Sequence, residues 1–254
     1  MENIWKDFDK WYVISLINSN NDIIIRNFNR ASIKNFEILH YKPANKVINI
    51  PKEESIINLL THNNIDETSI NIFENHIKTI QKAYDNKYKR VCILEDDAEF
   101  LFPIKKHIIS NINIWMNSNK WDIFYFGHVP WPNVNSYKVT RNIVQPINPL
   151  LAHCYCLSRL GMYKILTSYY KLNSPMHIDN FFNKCNLNKY AIFPSISVQN
   201  KEPAIYNEIT KRIGISTINY RIIFLILEYI AVYKLMFLLA VLFIIYMYKK
   251  TYVR

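Results

Sequence analysis

The stretch V-C-I-L-E-D-D-A-E-F, Val91 to Phe100, passes from four apolar residues through three consecutive carboxylates and back to apolar ones. A short, β-branched apolar run of this kind reads as a buried strand. Like charges in a row repel, and burying an unpaired carboxylate costs roughly several kcal/mol. Glu95, Asp96 and Asp97 therefore need either solvent or a compensating cation. Just upstream, Ile70, Phe73, Ile77, Ile80 and Tyr84 are spaced three, four, three and four apart. That spacing predicts a helix with one buried face, so a helix–strand unit leads directly into the acids.

The same alternation extends outward. Trp11–Leu16 and Phe36–Tyr41 read as strands, and Asn18–Arg30 as a loop entering a helix. Ile104–Met116 and Arg159–Tyr170 read as helices, and Trp121–His128, Ala152–Leu157 and Ala191–Val198 as strands. Strands alternating with helices imply an α/β architecture with a mainly parallel sheet flanked by helices. In such sheets ligands bind beyond the carboxyl ends of the strands, and the three acids stand at one such end.

Composition narrows the function. The net charge is +11, but +6 of it falls from Lys211 onward, where seven Lys and Arg face the single acid Glu228. The remaining +5 is spread over the first 210 residues with no basic run, which argues against nucleic acid as a partner. Only Gly127, Gly161 and Gly214 are glycine, too few for a glycine-rich dinucleotide fingerprint or a P-loop. Cys92, Cys154, Cys156 and Cys185 have no zinc spacing and read as buried, reduced thiols in a cytosol-facing body.

From Ile222 the chain turns strongly apolar, and Lys249 and Lys250 close the run. Residues 229–248 would measure about 30 Å as a helix, the thickness of a bilayer core. The expectation is a single-pass, C-terminal membrane anchor over 211–254, with a soluble domain over 1–210. Glu228 would then fall at the membrane interface, and Lys234 would snorkel. A buried core helix, or an amphipathic hairpin lying on the membrane, is the alternative. The abundance of Asn, Ile, Lys and Tyr suits an A/T-rich coding genome, as in some large DNA viruses and bacteria. A viral chain would sit in a host-cell or virion membrane.

On an extended backbone Glu95 and Asp97 would share a face, an acid-x-acid arrangement suited to a divalent cation that bridges protein and a diphosphate. An acidic turn capping the next helix would give the same residues. Asp179, in H-I-D-N, is either a general base or a helix N-cap. His76 lies on the helix before the acids, where it either touches a ligand or packs on the sheet. His153 begins a strand. His128, Trp131 and Pro132 follow a strand end at Gly127 and form either a sugar-stacking or a plain hydrophobic loop.

The order of motifs resembles glycosyltransferase family 25, the lipooligosaccharide β-galactosyltransferase and procollagen galactosyltransferase group. The matching pieces are Y-V-I-S-L, the N-H of Asn75 and His76, C-I-L-E-D-D-A-E-F, W-D-I-F-Y-F-G, A-H-C-Y-C-L-S-R-L-G, H-I-D-N-F-F and F-P-S-I-S-V-Q, over about residues 11–200. The resemblance implies a GT-A-like, Rossmann-type fold and a UDP-sugar donor with a divalent metal, often Mn2+. It implies transfer of galactose or glucose to a glycan or protein acceptor, with inversion. Asp97 and Glu95 would hold the metal, and Asp96, His76 and Ser15 would bind the donor. Asp179 would be the catalytic base and His153 an acceptor-side residue. The alternative is a membrane-anchored protein that keeps this fold without turnover, as a binding or structural component.

Overall fold

Pleating sends alternate residues of the central strands to opposite sides of one sheet. In a computed structural model, which describes residues 5–16, 21–41, 67–130, 136–174, 176–199 and 220–252, both sides are apolar. The N-terminal elements are β1 (Lys10–Leu16), α1 (Asp22–Ala31), β2 (Phe36–Tyr41), α2 (Glu67–Asp85), β3 (Arg90–Glu95) and β4 (Ala98–Phe100). There follow α3 (Lys106–Ser118), β5 (Ile123–Val129), β6 (Ser136–Lys138), β7 (Ile143–Pro146) and β8 (Leu150–Ser158). The chain continues through α4 (Arg159–Tyr169), α5 (Ile178–Lys184), β9 (Lys189–Ile192), β10 (Ser197–Gln199) and α6 (Tyr220–Tyr252).

The large sheet has the order β2-β1-β3-β8-β5-β9-β7-β6, and β4 pairs with β10 in a small antiparallel one. Within the large sheet β7 and β8 run against the other six strands, so it is largely parallel, as expected. The strand read at Ala152–Leu157 is β8, which lies antiparallel between β3 and β5. The single strand expected over Ala191–Val198 is two, β9 and β10, in different sheets.

One face of the sheet presents Tyr12, Ile93, Tyr125, Tyr155 and Leu157 to α2, α4 and α5. Ile70, Phe73, Ile77 and Ile80 of α2 are all buried, which bears out the spacing read from sequence. The other face presents Trp11, Val13, Leu94, Phe124 and Phe126 to α1 and α3. Trp5, Phe8 and Phe100 complete this second core, in which Trp11 stacks on Phe126 with ring centroids 6.1 Å apart.

Cys92 and Cys156 stand directly opposite one another on β3 and β8 and are joined by a disulfide, with Cα atoms 4.0 Å apart. This corrects the reading of four reduced thiols, and removes the thiol argument for a cytosol-facing body. Register between strands far apart in sequence made the pair, so spacing along the chain gave no sign of it. Cys154 and Cys185 are free and buried, as expected.

Helix α6 is 33 residues long and breaks its helical dihedrals at Tyr233 (φ −119°, ψ 33°). Before that kink it lies against the body. Ile223, Phe224 and Leu227 pack on Val129, Leu150 and Leu151. Glu228 was expected at a membrane interface but is only 3% exposed. It accepts hydrogen bonds from the backbone N–H of Ser195 at 3.1 Å and from the Ser195 hydroxyl, with His128 Nδ1 3.6 Å away. Among the described residues no helix is long and apolar enough to cross a membrane.

Burial, only partly offset by Ser195, pushes the Glu228 carboxyl up to about 7, and burial together with His153 pushes His128 down to about 3. A raised carboxyl favours the folded chain below its ordinary value and loses that contribution as pH climbs through about 7. His128 acts in the opposite sense, favouring the fold above its ordinary value and losing that contribution as pH falls toward about 3. Above neutrality, then, an ionised Glu228 sits buried beside a neutral histidine. Glu228→Gln is expected to match the parent protein's stability near about pH 5 and to exceed it by roughly 2–3 kcal/mol near about pH 8. Urea unfolding at both pH values measures this, and a difference that stays constant between them would refute it.

Candidate functional site

The carboxyl ends of β1, β3, β5 and β9, together with the start of β8, meet at one edge of the sheet. Three acids enter that edge where β3 stops. Asp96 and Asp97 form the turn between β3 and β4, so the pleat ends at Glu95 and the acids diverge instead of sharing a face.

Glu95 turns inward. Its Oε1 lies 3.2 Å from His76 Nε2, and its Oε2 accepts from Gln199 Nε2 at 3.3 Å. His76 has no exposed surface, and its Nδ1 lies 2.8 Å from the Tyr155 hydroxyl. Both ring nitrogens of His76 are thus engaged, and it positions Glu95 instead of touching a donor. Burial pushes the Glu95 carboxyl up, but the His76 hydrogen bond, the nearby charges of His76 and His153 and the Gln199 amide bring it below the usual carboxylate range.

Asp96 is held from β1. Ser15 Oγ lies 2.9 Å from Asp96 Oδ2 and 3.0 Å from Asn21 Oδ1, and its one hydroxyl proton can serve only one of them at a time. Ser15 is 2% exposed, so it orients Asp96 and offers little surface to a ligand. Asp97 is half-buried at the same turn.

Asp179 comes from the opposite side. It lies in the first turn of α5, where His177 is the N-cap residue and makes no side-chain capping bond. The N-cap alternative for Asp179 is therefore corrected. Its two carboxylate oxygens accept from the backbone N–H groups of Leu151 and Ala152, each at 3.0 Å. Leu151 has φ 67°, in the left-handed region that a leucine rarely adopts, and Asp179 holds it there. Burial pushes the Asp179 carboxyl up, the two N–H groups pull it back and the Glu95 charge adds to the rise, for a net increase. A carboxylate raised in this way is a better base near neutral pH than a free one.

His153 was expected on the acceptor side, but it is enclosed at 2% exposure. Burial lowers its pKa against the opposing pull of Glu95 and of the Ser197 and Leu151 carbonyls. It packs on Gly127, where a Cβ would collide with the His153 ring and the Ser197 carbonyl. Gly127 is thus glycine because β10 and His153 close over it. His128 is buried too, which removes it from any sugar-stacking loop, and Trp131 and Pro132 lie outside the described residues.

Gln199, Tyr155 and Tyr125 were not singled out in the sequence. Tyr125 is fully buried near the Asp179 charge, its hydroxyl has no hydrogen-bond partner among the described residues, and burial lifts its pKa well above the ordinary value. Strand alternation in A-H-C-Y-C puts His153 and Tyr155 on one face, which was the available clue. Gln199 gave none, because its place depends on the pairing of β10 with β4.

The donor set decides how a divalent cation would fit. Among the described residues no group of three or more His, Cys, Asp or Glu side chains is placed to hold one. Each oxygen of Glu95 accepts one hydrogen bond, which leaves each with a second lone pair, and its side chain is 21% exposed. Asp97, with the remaining oxygen of Asp96, suits the kind of site in which one or two carboxylates are completed by phosphate oxygens.

No family model and no curated protein matches the chain. Among solved structures it is similar to the crystal structure of A197 from STIV, with 12% identity and a TM-score of 0.41, over 74% of this chain and 82% of that one.

Proposed function

We propose that this protein is a hexosyltransferase of GT-A-like, Rossmann-type fold that moves galactose or glucose from a UDP-sugar to a hydroxyl of a glycan or protein. The observation that carries the reading is the junction of Ser15, Asp96 and Asp97 at the carboxyl ends of two parallel strands, with Asp179 across the same edge. Ligands of open α/β sheets bind at such an edge. In this scheme Asp96, fixed by Ser15, faces the ribose of the donor. Asp97 would hold a divalent cation, Mn2+ by resemblance, on the diphosphate, where its charge would offset that of the leaving group. Asp179 would take the proton of the acceptor hydroxyl as its oxygen attacks the anomeric carbon and the bond to the diphosphate breaks, with inversion. Residues 229–248 would keep the enzyme beside a membrane-borne acceptor.

A second reading, a binding or structural protein of the same fold without turnover, is favoured by the inward commitment of Glu95 and Asp179 to protein partners. Calorimetric titration with UDP and Mn2+, paired with a hydrolysis screen over UDP-, GDP- and CMP-sugars, separates the two. The expected result is Mn2+-dependent UDP binding, weakened at least about tenfold in Asp97→Ala, with slow hydrolysis of a UDP-hexose. Binding without hydrolysis of any donor would favour the second reading. If no nucleotide binds, both fall.

A further inference from the structure

The docked part of α6 is apolar on two sides. Ile223, Phe224, Leu227 and Ala231 face the body and are nearly inaccessible. Ile222, Leu225, Ile226 and Tyr229 follow one another at intervals of three, one and three on the outer side, and are 52%, 44%, 46% and 45% exposed. That is one helical stripe, and about half of each side chain stands open among the described residues, although the Tyr229 ring also meets Phe193 edge-on, with centroids 5.0 Å apart. A helix held to its domain through one face would ordinarily turn charged residues outward on the other.

We infer that this outer stripe is a lipid-contacting surface that seats the body of the protein flat on an anionic bilayer. Three observations favour lipid over a protein partner. First, the stripe runs in sequence directly into the apolar segment Leu235–Tyr248. Second, the charge of the region is complementary to anionic headgroups: residues 211–254 carry seven Lys and Arg and a single acid. That acid is Glu228, turned inward onto Ser195, so the helix shows no carboxylate to the outside. Third, Lys234 is exposed just past the stripe, and Lys138 of the neighbouring β6 lies 3.2 Å from the Tyr233 hydroxyl at its margin. Apolar stripes bordered by basic residues partition into the headgroup–acyl boundary, parallel to the membrane plane. The Arg221–Glu99 ion pair at 2.8 Å and the Glu228–Ser195 bonds fix the helix to the sheet, so the body must follow the helix to the membrane. The inference deepens the reading of residues 229–248 as the membrane segment and does not depend on the transferase reading.

The test uses the full chain with phosphatidylcholine vesicles, with and without phosphatidylserine. The expected result is co-sedimentation that requires phosphatidylserine and weakens at about 0.5 M salt. The double variant Leu225→Glu/Ile226→Glu should bind at least about tenfold more weakly. Ile114→Glu, at an isoleucine 62% exposed on α3, should bind like the parent protein. Thermal melting shows whether the double variant remains folded. A nitroxide on Ile226→Cys gives an independent readout, and should become accessible to oxygen and shielded from a water-soluble nickel chelate when vesicles are added. Binding that survives the double variant, with the label still in water, would assign all membrane contact to residues 235–248 and overturn the proposal. So would a dimer in vesicle-free solution that shields the same label, since the stripe would then be covered by a second copy.

Discussion

Asp179→Ala is expected to lower the stability of the fold by about 2–4 kcal/mol, before any effect on chemistry is considered. Two backbone N–H groups, of Leu151 and Ala152, donate to this carboxylate at 3.0 Å. Hydrogen bonds to a charged acceptor contribute about 1.5–3 kcal/mol each. Two things reduce the sum. Burial already raises the Asp179 carboxyl, so its ionised form is held at some cost. Leu151, at φ 67°, is also freed from an unfavourable backbone conformation when its partner goes. Asp179→Asn keeps one acceptor oxygen and should lose about half as much. Thermal melting of both variants settles the matter. A general base that made no structural bonds would leave the melting temperature where it was while abolishing turnover, and that outcome would contradict the double role assigned here.

A loss of about 2 kcal/mol or more is expected from Gly161→Ala, although helix propensity alone predicts the opposite sign. Gly161 is in the first turn of α4, and its N–H donates to the capping Ser158 hydroxyl at 3.0 Å. In an open helix, alanine for glycine would gain about 1 kcal/mol. Here the added Cβ would overlap the carbonyl of Asp122. That carbonyl cannot easily retreat. It accepts from the N–H of Ser158 at 3.1 Å, while the Asp122 side chain is tied to Lys164 Nζ at 2.6 Å and to the N–H of Asn188 at 2.8 Å. Overpacking against backbone costs about 1–3 kcal/mol or more, so the clash outweighs the propensity gain. The melting temperature should fall by roughly 4–8 °C. A rise would show that α4 has room to move and that the packing described here is loose.

Both variants touch residues whose roles were hidden to different degrees in the sequence. Gly161 could be counted, and its scarcity noted, but the carbonyl it accommodates belongs to Asp122, on the far side of a strand pairing. Asp179 was visible as a candidate by its setting in H-I-D-N, while its partners, two N–H groups at the start of β8, were not. The acids of β3 show the same division. Their crowding at a strand end was evident. Which of them would face inward was decided by His76 and Gln199, brought together by a helix and by a strand of the second sheet.

Local pattern was enough for most of the helices and strands, because hydrophobic periodicity at 3.6 or 2 residues reports which face of a segment is buried. It placed α2, β1, β2, β3, β5 and β8, the apolar character of α6 and the acidic run after β3, but gave no sign of β6 or β7. Contacts between segments distant along the chain have no such signature, and they required the folded molecule. The joining of Cys92 to Cys156, the reversed direction of β8, the burial of Glu228 beside Ser195 and the two-sided apolar face of the docked helix all arise from register and packing. These are set by how whole layers close on one another, and a residue's neighbours in sequence carry no record of them.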